Sequence, residues 1–336
     1  MKGGFFRKVL ESASGMLGGS PAVGIDIGSH SVKAVALKKE RGGGFAATAG
    51  EAFYADLFAD GDDPRRAVEP LSLLAGDFGL RGAAAAVSVS GASVFAGGVP
   101  YSGGSPEEAV SARLSALFPE GADGCVSDFC VSGDVAHMAV AKTAAVRGRV
   151  SALRSCGLVP HVVDYDGFAV VNSRLRSRPE SEGAAVLLNV GRSVTNLAVL
   201  DGAKTVLTRD LPCGSGEVTL AMANAGDMTA DEAEVKKMSL GADSMPDFIG
   251  AAREFSLKLA REARATLDVF VSPEYAPAAI EISGGGALLY GLADALEETL
   301  GAEARLSDPL KGLCDGAAEI SAKCAVATGL ALRVAK

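Results

Sequence analysis

The sequence predicts an α/β protein of two similar halves, with a small α+β unit set between them. Three stretches carry this expectation. Residues 22–37, AVGIDIGSHSVKAVAL, read as an apolar strand, a glycine turn bearing a polar cluster, and a second strand. Residues 186–200, VLLNVGRSVTNLAVL, repeat the design, with Val186 in the place of Val23, Asn189 in that of Asp26 and Gly191 in that of Gly28. Residues 279–296, AIEISGGGALLYGLADAL, read as a strand, three glycines and an amphipathic helix.

The elements follow in chain order. The opening MKGGFFRKVLESASGML places Phe5, Phe6, Val9, Leu10, Met16 and Leu17 at helical spacing beside Lys2, Arg7 and Lys8. Residues 1–20 therefore read as an amphipathic segment, able to pack on its own domain or lie on a membrane surface. Charges inside the apolar run exclude a signal peptide. Within the first strand Asp26 stands between Ile25 and Ile27, where an unpaired carboxylate would cost several kcal/mol. Residues 82–105 include an uncharged run long enough to span a bilayer, but Val87 and Val89 alternate with Ser88 and Ser90 among glycines, which favours strands. From 99 to 163 the pattern predicts a strand near Val99, a helix over 106–117, strands over 125–132 and 136–141, a helix over 143–156 and a strand over 160–164. SPEEAV opens the first of these helices with Ser105 as cap, proline next and glutamates in the first turn. Two further helices begin near Thr229 and at Pro246.

Composition bounds the function. The chain has 336 residues, 48% hydrophobic and 22% charged, with 42 glycines and no tryptophan, so its core is expected to be Ala, Val and Leu. A net charge of −9 argues against non-specific nucleic-acid binding, which needs a basic face. The six cysteines form no CxxC pair and no metal-type spacing with His30, His137 or His161, which points to buried thiols in a reducing compartment. The expected location is cytoplasmic.

Backbone N–H groups at glycine turns attract phosphate or ribose oxygens, and three such turns in two halves point to a phosphorylated ligand. The pattern resembles the actin-like ATPase superfamily, whose two lobes clamp ATP. Within it the chain resembles the FtsA-like branch and, over nearly its whole length, the PilM family of type IV pilus assembly proteins. SVSGASV, AVAKTAAVRGRVSALRSCGLVPHVVDYDGFAVVN, REARATLDVF and the closing AVATGLALR belong to that resemblance. It implies ATP and Mg2+ as cofactors. Gly28, Ser29, His30 and Ser31 would meet the phosphates, Lys33 would reach back to one of them, and Asp26 would hold Mg2+ through water. Gly191, Ser193 and Thr195 would form the second phosphate loop and Gly284, Gly285 and Gly286 the adenosine loop, with Glu262 and Arg264 lining ribose and adenine.

The implied organisation is a first-lobe core over 21–98 and 165–184, an inserted subdomain over 99–164, and a second lobe over 185–336 whose final helix returns to the first lobe. Two departures from the family pattern stand out. Asn189 replaces the usual metal-facing aspartate, making its metal role doubtful. Asp166-Gly167 replaces Glu-Pro, leaving Asp166 as the one weak candidate for catalysis. Nucleotide binding with at most slow ATP turnover is therefore expected. The implied partner is the N-terminal peptide of a PilN-like bitopic membrane protein, docking beside the inserted subdomain. Other pilus platform proteins, peripheral inner-membrane association and homo-oligomer formation are compatible with it. The rivals are a sugar- or acetate-type kinase and an FtsA-like filament or membrane-tethering protein.

Overall fold

A computed structural model describes residues 20–335 apart from 41–43, 55–63, 102–103, 179–182 and 315–317. The expected amphipathic segment lies, but for its last residue, outside the described residues.

The first lobe opens with β1 (Ala22–Ile27), β2 (Ser31–Lys39) and β3 (Phe45–Phe53), followed by α1 (Val68–Asp77) and β4 (Ala84–Val89). After it come β5 (Val94–Pro100), α2 (Pro106–Leu117), β6 (Cys125–Ser132) and β7 (Val135–Lys142). Next are α3 (Thr143–Ser155), β8 (Val159–Tyr165) and α4 (Asp166–Ser177). The second lobe begins with β9 (Ala184–Val190), β10 (Thr195–Asp201) and β11 (Lys204–Leu211). Helices α5 (Gly216–Gly226), α6 (Ala230–Met238) and α7 (Pro246–Phe270) follow, then β12 (Pro277–Ser283), α8 (Leu292–Leu300) and β13 (Ala304–Leu306). The chain closes with α9 (Ala318–Lys323) and α10 (Ala325–Val334).

The two large sheets share one topology. Their strand orders are β3-β2-β1-β4-β8 and β11-β10-β9-β12-β13. In each, three antiparallel strands are extended by two parallel ones. The faint sequence repeat thus reflects a repeated fold. Strand alternation divides each sheet between two cores. Val23, Ile25 and Ile27 face the first-lobe core, and Val186, Leu188 and Val190 face the second. Ala22, Val35 and Ala86 of one sheet share a third cluster with Ala185, Leu187 and Ala198 of the other. Helices α4 and α10 contribute Ala169, Val170, Ala327 and Leu330 to that cluster, between the two sheets.

The inserted unit is narrower than the expected 99–164. Its own sheet is β5-β7-β6, covered on one face by α2, where Val110 meets Ala136, Met138 and Val140. The other face brings Ala139 and Ala141 into the first-lobe core. Strand β8 instead pairs parallel with β4, and α3 buries Val146, Val150 and Leu153 in the first-lobe core. Alternation of helix and strand identified these elements, but which sheet a strand joins depends on pairing distant in sequence. The cap on α2 is as expected, since the Ser105 side chain accepts from the Glu107 and Glu108 amides. A reciprocal Thr229–Glu232 capping box opens α6. Among the described residues no helix is long and apolar enough to cross a membrane.

Candidate functional site

The two hairpin turns close in the same way. Gly28 N donates to Ser31 O at 3.1 Å and Gly191 N to Val194 O at 2.9 Å. The first turn is held by Tyr54, whose hydroxyl donates to Gly28 O at 2.8 Å. The second rests on the start of α5, where Ser215 N and Gly216 N donate to the carbonyls of Gly191 and Arg192, each at 2.9 Å. The turns face one another: Ser193 Oγ donates to Ser29 Oγ at 3.0 Å, across the lobes. The third glycine turn lies against the second hairpin. Gly284 has φ +84°, and a Cβ there would stand 2.5 Å from Val190 O. One on Gly286 would stand 2.5 Å from Val190 Cγ1, whereas Gly285 faces open space. Two of the three glycines are thus required by packing. Only Gly285 has room in front of it.

The register shows what Asp26 faces. Asp26, Lys33 and Glu51 lie abreast on β1, β2 and β3. Lys33 Nζ is 3.7 Å from Asp26 and 3.9 Å from Glu51, and Lys323 Nζ is 3.3 Å from the other oxygen of Glu51. Ser31 Oγ also donates to Glu51, at 2.6 Å. The hydroxyl of Ser31 is therefore committed inside the lobe, and so is that of Thr195, which donates to Cys213 O. Burial raises the pKa of Asp26 against the pull of Lys33 and, next, Arg149. Burial opposes the charge of Glu51 too, but Lys33, Ser31 and Lys323 hold its carboxyl below the usual range. Sequence reasoning missed Glu51. Its signal was the one Asp26 gave, a lone acid in an apolar strand, FAATAGEAF.

Asp166, at the start of α4, is pushed up to about 7 by burial and then by the Asp26 charge, with hydrogen bonds from Ser88 and Ser90 acting the other way. Its neighbour Gly167 has a local explanation. A Cβ there would stand 2.5 Å from the Tyr165 ring. That buried tyrosine donates its hydroxyl to Asp210 of β11 at 2.5 Å, so the substitution makes room for a contact between the lobes.

Asn189 is one link in a directed polar chain. It accepts from Ser283 Oγ at 3.2 Å and donates to Asn196 Oδ1 at 2.9 Å. Asn196 donates in turn to Asp210 at 2.7 Å, and Asp210 also accepts from Gly91 N at 2.7 Å. An aspartate at 189 would leave Asn196 between two carboxylates, with an amide that can satisfy only one direction at a time. Asn189→Asp is expected to destabilise the nucleotide-free protein by about 1–3 kcal/mol, the usual cost of an unsatisfied buried polar group. Thermal melts should show the loss without divalent ions and recovery with Mg2+ and ATP.

The second lobe supplies a cluster that the sequence reading passed over. Lys237 donates to Glu234 at 2.8 Å, Thr219 at 2.9 Å and the Ser215 carbonyl at 3.2 Å. Burial opposes the charge of Glu234, but Lys237 and Thr219 hold its carboxyl low. Glu234 also stands 3.9 Å from His30 Nδ1, which is buried without a hydrogen-bond partner. Burial, more than any neighbour, lowers the pKa of His30. Spacing in TADEAEVKK places Glu234 and Lys237 on one helix face, the signal that could have found them.

Glu262 and Arg264 do not work together. Glu262 is exposed one turn after Lys258, whose ammonium pairs with Glu217 at 2.6 Å. Two residues on, Arg264 has rotated away, as helical geometry requires. It donates twice to Thr299 O near the end of α8, at 3.3 and 2.8 Å, where a cation complements the helix dipole. Its guanidinium is thus engaged in capping α8.

The cleft therefore joins facing glycine turns, the Ser29 and Ser193 hydroxyls, Lys33, Lys237 and an unpartnered His30 nitrogen, a donor set suited to a phosphorylated ligand. Among the described residues no three His, Cys, Asp or Glu side chains are grouped to hold a metal.

No curated protein matches the sequence. Among solved structures, a PilM–PilN type IV pilus biogenesis complex is similar at 25% identity and TM-score 0.76, over 93% of this chain and 98% of that one. The ethanolamine utilization protein EutJ from Carboxydothermus hydrogenoformans shares the fold at 16% identity and TM-score 0.56, over 94% and 90%. So does an archaeal actin homologue, at 13% identity and TM-score 0.50, over 93% and 98%. The fold is the actin-like one of two lobes. The model of the type IV pilus assembly protein PilM family matches residues 24–335, and the chain belongs to that family.

Proposed function

We propose that the protein is an ATP-binding adaptor of the type IV pilus assembly platform. The observation that carries the nucleotide reading is the face-to-face placement of two equivalent glycine turns, joined by Ser29 and Ser193 across the lobes. ATP with Mg2+ would bridge them. Lys33 would supply a point charge to a phosphate, and Asp26 would hold the ion through water, because magnesium keeps most of its water shell and needs few carboxylates. Turnover is expected to be slow, because Asn189 brings no charge and is tied to Asn196. The protein works in the cytoplasm at the inner membrane, held there by its partner. That partner is a PilN-like bitopic membrane protein whose N-terminal peptide docks between the first lobe and the inserted unit. The resemblance to the PilM–PilN complex supports this.

Two measurements test the reading. A ligand bound only by the folded state stabilises it by about 2.7 kcal/mol at a hundredfold excess over Kd. Millimolar ATP with Mg2+ should raise the melting temperature, and Asp26→Asn should abolish the rise. An unresponsive wild-type protein overturns the nucleotide reading. For the partner, fluorescence anisotropy should show saturable capture of a labelled peptide from the membrane protein's cytoplasmic N-terminus. Removing 99–164 would take β8 out of the first-lobe sheet, so a deletion meant to abolish docking must stay within β5–β7.

A further inference from the structure

Three guanidinium groups converge on one carboxylate at the junction of the lobes. Glu281 of β12, 3% exposed, lies 2.8 Å from Arg174 Nε, 2.9 Å from Arg305 Nη2 and 4.0 Å from Arg178 Nε. Arg174 is 5% exposed and also donates to the Arg178 carbonyl at the end of α4. Arg178 and Arg305 are partly exposed. One carboxylate cannot neutralise three guanidiniums. Among the described residues no other acid pairs with them, in a protein whose net charge is −9.

Arg174 and Glu281 of this cluster line a small solvent-open cleft together with Ser173 and Ser307. The buried polar atoms without a hydrogen-bond partner include the Ser307 hydroxyl in the cleft wall and Arg305 Nε in the adjoining cluster. Both can donate, so among the described residues the cluster and the cleft beside it offer surplus positive charge together with unused donors. That combination calls for an acceptor bearing negative charge. Guanidinium forks match the oxygens of a phosphate group in bidentate fashion.

We propose that this cleft is an anion site for a phosphate group, separate from the nucleotide cleft. It draws on α4 from the first lobe and on β12 and β13 from the second, so a bound phosphate would brace the lobes against each other. It also sits behind β12, three residues before the glycine turn at Gly284. The phosphate could be carried by a free anion or by a lipid headgroup, which present the same chemistry.

The test uses the full-length protein and inorganic phosphate at constant ionic strength. The wild-type melting temperature should rise saturably with phosphate. Arg178→Gln and Arg305→Gln alter partly exposed side chains, and each should weaken the apparent phosphate affinity roughly tenfold or more, the worth of a charge-assisted hydrogen bond. Glu281→Gln should steepen the phosphate dependence, since the arginines lose their one counter-charge. Circular dichroism checks that each variant is folded. In a second arm, vesicles containing phosphatidylglycerol are sedimented with the protein, against phosphatidylcholine alone. Capture by the anionic vesicles that both arginine variants lose identifies a lipid headgroup as the source. A saturable response to free phosphate without vesicle capture identifies a soluble anion. Phosphate and vesicle responses that are absent, or the same in the wild type and both variants, overturn the proposal. An equal, unsaturable rise is the general stabilisation that excluded salts give.

Discussion

Gly329→Ala is expected to destabilise the protein by about 3 kcal/mol or more, at or above the upper end of what overpacking costs. Helix α10 is wedged between β1 and α4 with backbone touching backbone on both sides. A Cβ on Gly329 would stand 1.8 Å from Ala169 O of α4, and one on Gly24 of β1 would stand 1.9 Å from Ala327 O. Neither obstacle is the end of a flexible side chain, so relief requires the helices or the sheet to separate. That movement would open the cluster in which Ala22, Ala169, Ala185 and Ala327 join the two lobes. Gly250→Ala is the control. It lies in the second turn of α7, exposed, with nothing within 4 Å of its Cβ position, and should be neutral or slightly stabilising through helix propensity. Denaturant unfolding of the two variants measures the contrast. Equal midpoints would show that the α4–α10 contact is not close.

Arg333→Met should cost about 3–5 kcal/mol near neutral pH, the range for breaking a buried ion pair by removing one partner. Arg333 Nε stands 3.0 Å from Asp164 Oδ2, and Asp164 on β8 is 1% exposed. The other oxygen accepts from Tyr165 N at 2.8 Å. The effect should depend on pH. Burial already raises the pKa of Asp164, against the opposing pull of Arg333. Without the arginine the carboxyl rises further, and the folded state then binds a proton that the unfolded state releases above its ordinary pKa. Stability of the variant therefore falls as pH rises through the range between the unfolded and folded values. The difference from the wild type should be smaller at pH 5 than at pH 8. Asp164→Asn combined with Arg333→Met should recover much of the loss, since no unpaired charge is then buried. A pH-independent difference would mean that lost packing, rather than the stranded carboxylate, sets the cost.

Much of this protein is written in local sequence. The turns at Gly28 and Gly191, the capped start of α2 at Ser105, and the strands over 125–132 and 135–142 depend on spacing within a few residues. Alternation, a cap and a glycine supply that information without help from the rest of the chain. The halves' shared topology was visible for the same reason, because each hairpin is a short-range unit repeated later.

What only the tertiary structure decided is which distant groups meet. Strand β8 left the inserted unit because its hydrogen bonds run to β4. Glu51 joined Asp26 and Lys33 because strand register set three polar residues in one row. Arg264 turned to α8 by helical rotation, while Asn189 became one link in a chain reaching Tyr165 through Asn196 and Asp210. In each case a polar group, of backbone or side chain, finds its partner far along the chain. Local patterning identifies the group that needs a partner, and only the folded arrangement of strands and helices determines which residue satisfies it.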